Sequence, residues 1–200
     1  MLKRIVYILL MTLCLMWTAS AYATEVRIAL VQGQSTIALQ ADHAFEVRDL
    51  LTGDVQSLPK GKYFAHIDNG GVKLENSSFS RAVELASLDD KDLPTVNGRK
   101  YDGTIQLRVQ GNSLLATNSV ELEKFLYRVL PSKTMPIWPE EAIKAQAIAA
   151  RSYVLHKLQQ QRGADYDLSA LDKELSYSGL GQRLEKPAIT KIIKATAGQY

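Results

Sequence analysis

Apolar and polar positions alternate through the first half of the chain with the two-residue period of half-buried strands. Across residues 26–31, Val26, Ile28 and Leu30 oppose Arg27, Ala29 and Val31, and Gly33 closes the run. Shorter β-prone stretches follow at residues 36–39, 44–47, 63–67 and 71–74. Turn-forming groups separate them: Thr52-Gly53-Asp54, Lys60-Gly61-Lys62 and Asp68-Asn69-Gly70-Gly71. Ile105, Leu107 and Val109 then alternate with Gln106, Arg108 and Gln110. Gly111-Asn112 reads as a turn, and residues 114–117 as the returning strand of a hairpin. Residues 89–98 read as a polar loop with Pro94 and an Asn97-Gly98 turn.

From Ser119 the period lengthens. Leu122, Phe125, Leu126 and Val129 sit at helical spacing, which predicts a helix over residues 121–130, stopped by Pro131. A long helix is expected to start at Pro139 as its first helical residue, with Glu140 and Glu141 in the turn where the dipole favours anions. It should run to Gln161 and end at Gly163, and a third helix should cover residues 187–197 before Gly198. The fold class is therefore α+β: a β-rich part, residues 24–118, then a mainly helical part, residues 119–200, with a long Ala-rich helix.

The first residues change the picture of where the protein works. Lys3 and Arg4 precede an uncharged run at residues 5–17, and small residues lead to Ala21-Tyr22-Ala23. That is the order of a secretory signal peptide, and the run of 13 is short of the ~20 a spanning helix needs. Residues 1–23 are expected to be removed; an uncleaved anchor is the alternative and the one route to a membrane. The expected location is extracytoplasmic, secreted or in the cell envelope. Loss of Lys3 and Arg4 takes the formal net charge from +3 to +1. No Lys/Arg-dense stripe is present, so nucleic acid is a poor partner. The single cysteine, Cys14, lies in the leader, which excludes a disulfide framework, a thiolate metal site and a cysteine nucleophile from the rest.

Chemical interest concentrates on the long helix. Ala142, Ala145, Ala147, Ala149 and Ala150 make its first half thin, and Ile143, Ala147, Ala150, Val154 and Leu158 form the stripe expected to face the core. Gln146 is ringed by Ala142, Ala149, Ala150 and Tyr153, so it either ties down a loop or points at a ligand. Glu141, Lys144 and Arg151 read as a solvated face with weak pairing.

Residues 135–153 read MPIWPEEAIKAQAIAARSY. This resembles the signature helix of the sporulation stage II protein D / amidase enhancer family. Residues 96–103, VNGRKYDG, resemble that family's Asn-Gly-Arg-x-Tyr-x-Gly turn. Residues 118–126, NSVELEKFL, and 195–199, ATAGQ, resemble two further family segments, so the likeness covers about residues 25–200. The resemblance implies an exported domain acting on peptidoglycan glycan strands, alone or beside a cell-wall amidase or another envelope protein. Some members cut strands stripped of stem peptides as lytic transglycosylases, with one Glu as acid/base before the Trp-Pro; amidase enhancers need only bind.

Three departures shape the expectation. Counting back from Trp138 puts Lys133 at the family's acid position, and the neighbouring Thr134 is no acid either. Lysine, with an ordinary pKa of about 10.4, is no substitute for a raised carboxylic acid. Glu140 and Glu141 remain as catalytic candidates, and Lys133, Lys144, Gln146, Arg151 and Tyr153 as substrate-binding candidates. Residues 165–181 hold neither His nor Cys where some members bind zinc, so no metal and no cofactor is expected. The family domain normally continues beyond the position of Tyr200, so part of the cleft is expected to be missing. Two functions stand side by side: glycan binding or modulation of hydrolysis without cutting, and a lytic transglycosylase with a relocated acid. On the first, Lys133 is expected either to pair with Glu140 or Glu141 or to make only a surface contact.

Overall fold

A computed structural model describes residues 24–88, 95–135, 137–180 and 186–200. The expected signal peptide and most of the expected polar loop lie outside the described residues. The fold is mixed α+β. Among the described residues the strands form two sheets, one of seven and one of six. The larger is built on β1 (Glu25–Gln34), β3 (Phe45–Asp49), β4 (Val55–Leu58), β8 (Ala82–Ser87), β11 (Thr104–Gln110), β12 (Ser113–Glu121) and β13 (Leu168–Ser169), in the order β13-β1-β12-β11-β8-β3-β4. The smaller holds β2 (Thr36–Ala41), β5 (Gly61–Asp68), β6 (Gly71–Leu74), β7 (Ser77–Ser78), β9 (Thr95–Val96) and β10 (Arg99–Lys100), in the order β10-β9-β2-β5-β6-β7.

The alternation read from the sequence is what buries the core. Val26 and Ile28 of β1, Ile37 and Leu39 of β2, and Ile105 and Leu107 of β11 are all within a few per cent of full burial. They join one apolar cluster that spans both sheets and the helices. Gly111 and Asn112 close the β11–β12 hairpin, with Gln110 opposite Ser113.

Three helices follow: α1 (Leu122–Lys133), α2 (Glu140–Gln160) and α3 (Pro187–Lys194). Helix α1 touches β12 and β1 and meets both other helices, so it seats the helical layer on the large sheet. The chain then returns to the sheet. Arg27 of β1 forms a fork with Asp167 and also donates to the Ala164 carbonyl at 2.7 Å, and β13 adds parallel to β1.

Three helix boundaries differ from expectation, and the first is that α3 ends at Lys194 rather than at Ala197. Pro131 lies inside α1, which continues to Lys133. Its missing N–H falls in the last turn, and side chains cap the nearby carbonyls: Ser132 Oγ donates to Val129 O at 2.7 Å, Thr134 Oγ1 lies 2.8 Å from Leu130 O, and Lys186 Nζ donates to Pro131 O at 2.9 Å. Pro139 is the N-cap of α2 rather than its first helical residue. Strands β4 and β8 went unread because their alternation is brief: in β8 only Val83 and Leu85 are flanked by polar or small neighbours. Yet β8 is interior to the large sheet, between β11 and β3.

Asp49, at the end of β3, is buried and locks the next turn. It accepts from the amides of Leu51, Thr52 and Ser80 and from the Ser80 hydroxyl. Burial alone would push this carboxyl up, but the Ser80 hydroxyl and the three amides outweigh it and hold the pKa down at about 2. The unfolded value is about 3.9. The folded state therefore binds fewer protons between those values, so the stabilisation is full above about pH 4 and is lost as pH falls through about 2. Asp49→Ala should be less stable near neutrality and lose less stability from about pH 4 to pH 2 than the natural chain. Urea midpoints across that range decide it, and parallel acid limbs for the two proteins would refute the assignment.

Candidate functional site

Motif segments far apart in sequence meet at one structural knot. Asn97 and Gly98, with φ of 49° and 79°, form the turn between β9 and β10. Tyr101 is buried with its ring centroid 5.6 Å from Tyr177, whose ring lies 5.3 Å from Phe125 of α1. The Tyr177 hydroxyl donates to Asn118 Oδ1 at 2.9 Å, and Asn118 Nδ2 donates to the carbonyls of Asp102 and Thr104. Burial first of all holds the Tyr177 hydroxyl well above its usual pKa, so it stays a neutral donor. Arg128 of α1 closes the knot on Asp102 at 2.7 Å.

Beside the knot a cleft of about 280 Å³ opens between the end of α1, the middle of α2 and residues 174–175. Lys133, Gln146, Tyr153 and Glu174 supply its polar groups, and Ala149 and Ala150 give it a thin apolar wall. Lys133 Nζ reaches across to the Lys173 carbonyl at 3.2 Å. The Gln146 amide oxygen is placed 3.0 Å from Thr134 Oγ1, whose single proton already serves Leu130 O. Turning the amide so that Nε2 donates to Thr134 satisfies both groups. The Tyr153 hydroxyl donates to Asp172 at 3.1 Å. Desolvation, that bond and the charges of Asp172 and Glu174 all raise its pKa.

Residues 110–200 match the family model described as Stage II sporulation protein. This stretch is therefore similar to a stage II sporulation protein domain. That likeness supports a sporulation- or cell-wall-related role. Over 135 residues the chain is also 27% identical to an uncharacterized protein of Brachyspira hyodysenteriae, covering 67% of this chain and 34% of that protein. The chain thus spans about a third of the length of this relative. No solved structure matches.

Within the matched stretch, the predicted site residues separate into three places. Lys133, Gln146 and Tyr153 share the cleft. Glu140, Glu141 and Lys144 sit apart on the solvent side of α2, and none of them lines the cleft. Lys144 contacts Glu140 at 2.8 Å and Glu141 at 2.9 Å. The expected pairing of Lys133 with these glutamates is therefore not formed. Lys144 lies four and three residues along the same helix face, and takes both. Its hydrogen bond, then its charge, holds Glu140 below the usual carboxylate range and raises the ammonium of Lys144 in turn. A carboxyl so held is a weak proton donor near neutrality.

Arg151 occupies the third place and corrects the reading of a solvated face. It is 2% exposed and forks onto Glu123 of α1 at 2.7 and 3.0 Å, and it donates to Gln199 O at 2.8 Å. It follows Ala147 by four residues and precedes Val154 by three; both are fully buried, so the inward stripe carries Arg151 with it. Sequence reasoning missed Thr134 and Glu174. Thr134 borders the motif and is polar beside a helix end, which is a usable signal; Glu174 lies in an irregular segment that only tertiary folding brings to the cleft. Among the described residues no group of three or more His, Cys, Asp or Glu is arranged to hold a metal ion.

Proposed function

We propose that this chain is an exported envelope protein that holds peptidoglycan glycan strands in the cleft of Lys133, Gln146 and Tyr153. In this role it modulates cell-wall hydrolysis by a partner such as an amidase and does not cut the strand itself. The observation that carries this reading is Lys133: a cation, at the position where the resemblance implies an acid, lines the cleft with an amide and a phenol. An ammonium donates to sugar hydroxyls and attracts a lactyl carboxylate, but it opposes the positive charge that builds at a breaking glycosidic centre. The alanine wall leaves room for a sugar ring to lie against it, and the volume is at the small end of ligand-sized clefts.

Glu174 is the observation that favours the second reading, a lytic transglycosylase with a relocated acid. It is a carboxylate on the cleft wall, where Glu140 and Glu141 are not. Sedimentation with purified sacculi and with denuded glycan separates the two. Retention on glycan is expected without release of anhydro-sugar products. Lys133→Glu and Gln146→Leu should each weaken retention about tenfold, or ~1.4 kcal/mol. Gln146→Leu should cost only about 1 kcal/mol of stability, because Thr134 keeps its bond to Leu130. Turnover by the natural chain, abolished by Glu174→Gln, would replace the binding reading with the enzymatic one.

A further inference from the structure

A second concavity, of about 480 Å³, lies between α1 and α3 and shares no lining residue with the cleft of Lys133. Lys124 and Arg128 come to it from α1, Lys191 and Lys194 from α3, and Tyr127 and Asp102 complete the charged and aromatic lining. Four cations thus face one carboxylate, and that carboxylate is already engaged by Arg128 at 2.7 Å. Lys194 Nζ stands 5.4 Å above the Tyr127 ring. Lys124 has a 3.9 Å contact with Glu121 and a side chain 61% exposed, and the charge of Lys191 is felt by Glu140.

Composition does not account for this cluster. The chain has 24 Lys and Arg against 21 Asp and Glu, close to balance. Helix dipoles account for half of it. Lys191 and Lys194 are in the last turn of α3, where a cation is favoured. Lys124 is in the first turn of α1, where a cation is disfavoured. Gathering like charges from two helices also raises the energy of the folded state. An anion in the concavity relieves both costs.

We infer that this concavity binds a phosphate-bearing anion, with Lys124, Lys191 and Lys194 as the charges that hold it. Arg128, whose planar fork suits carboxylate and phosphate alike, is engaged by Asp102, which leaves three ammonium groups, point charges that bind phosphate oxygens. No large aliphatic side chain lines the concavity, and docking on a bilayer needs an apolar face, so the source is a soluble phosphate or polyphosphate. The site is independent of the proposed glycan cleft.

The test is calorimetric titration of the full chain with pyrophosphate and with short-chain polyphosphate, at low and moderate salt. Saturable binding is expected, weaker at the higher salt, and about tenfold or more weaker in the double variant Lys191→Glu/Lys194→Glu. Lys124→Gln, a milder change at an exposed position, should weaken it about threefold with unchanged circular dichroism. Binding of denuded glycan should stay as in the natural chain. Absence of phosphate binding, or binding indifferent to these substitutions, would overturn the inference. So would attachment to phosphatidylglycerol vesicles without any binding of the soluble phosphates.

Discussion

Glu123→Ala will lower the unfolding free energy by about 3–5 kcal/mol, the cost of stranding one partner of a buried ion pair. The Arg151 side chain is 2% exposed and that of Glu123 22%, and their fork is drawn at 2.7 and 3.0 Å. Without Glu123 the guanidinium keeps one partner, the Gln199 carbonyl, at a position only 2% exposed. Glu121→Ala is the control. It removes a 3.9 Å contact to a largely exposed Lys124 and should cost under about 1 kcal/mol. Urea unfolding of the three proteins gives the difference. A loss under about 1 kcal/mol for Glu123→Ala would mean that water reaches Arg151. The double change Glu123→Leu/Arg151→Met should be milder than Glu123→Ala, because it removes the charge together with its partner. Such a result assigns the motif arginine to joining α1 with α2 rather than to the glycan.

Gly103→Ala should cost about 2–5 kcal/mol, combining a strained backbone with a clash that has no free side to move into. Gly103 sits at φ 85°, and a Cβ there would stand 2.0 Å from the Ser119 carbonyl oxygen. Ser119 cannot withdraw, since β12 lies between β1 and β11 with Ser119 opposite both Arg27 and Thr104. The same backbone carries Asn118, which ties Asp102, Thr104 and Tyr177 together, so the knot should loosen with the strand. Gly111→Ala isolates the backbone contribution. Its φ is 58° but a Cβ there meets nothing within 4 Å, so the cost should be about 1–2 kcal/mol. Equal losses for the two variants, measured by urea midpoints, would show that the close approach to Ser119 is relieved without cost.

The family motif thus contains two kinds of residue. Gly103, Asn118 and Arg151 hold strands and helices together, whereas Lys133, Gln146 and Tyr153 line the cleft at the end of α1. A motif read in one dimension shows both kinds alike, because each is a fixed residue type at a fixed spacing. Arg151 was misread for this reason: its distance from Glu141 and Lys144 along the helix fits a shared polar face, while Glu123, which turns it inward, is 28 residues away.

Periodicity alone determined the strands of the β1, β2, β3, β5, β6, β11 and β12 regions and all three helices, because burial on one face writes its period into the sequence. The family resemblance, counted back from Trp138, implied that Lys133 stands at the acid position. Tertiary structure alone decided which polar residues share an opening. Glu174 arrives from an irregular segment, β8 enters the middle of a sheet on two apolar residues, and Lys186 reaches the carbonyl of Pro131 from a distant segment. Tertiary structure also sent Arg151 inward and left Lys144 to take both Glu140 and Glu141, outside the cleft they were expected to serve. Local pattern encodes which face of an element is apolar; the partner of a polar group depends on contacts between segments distant in the chain, which no local period records.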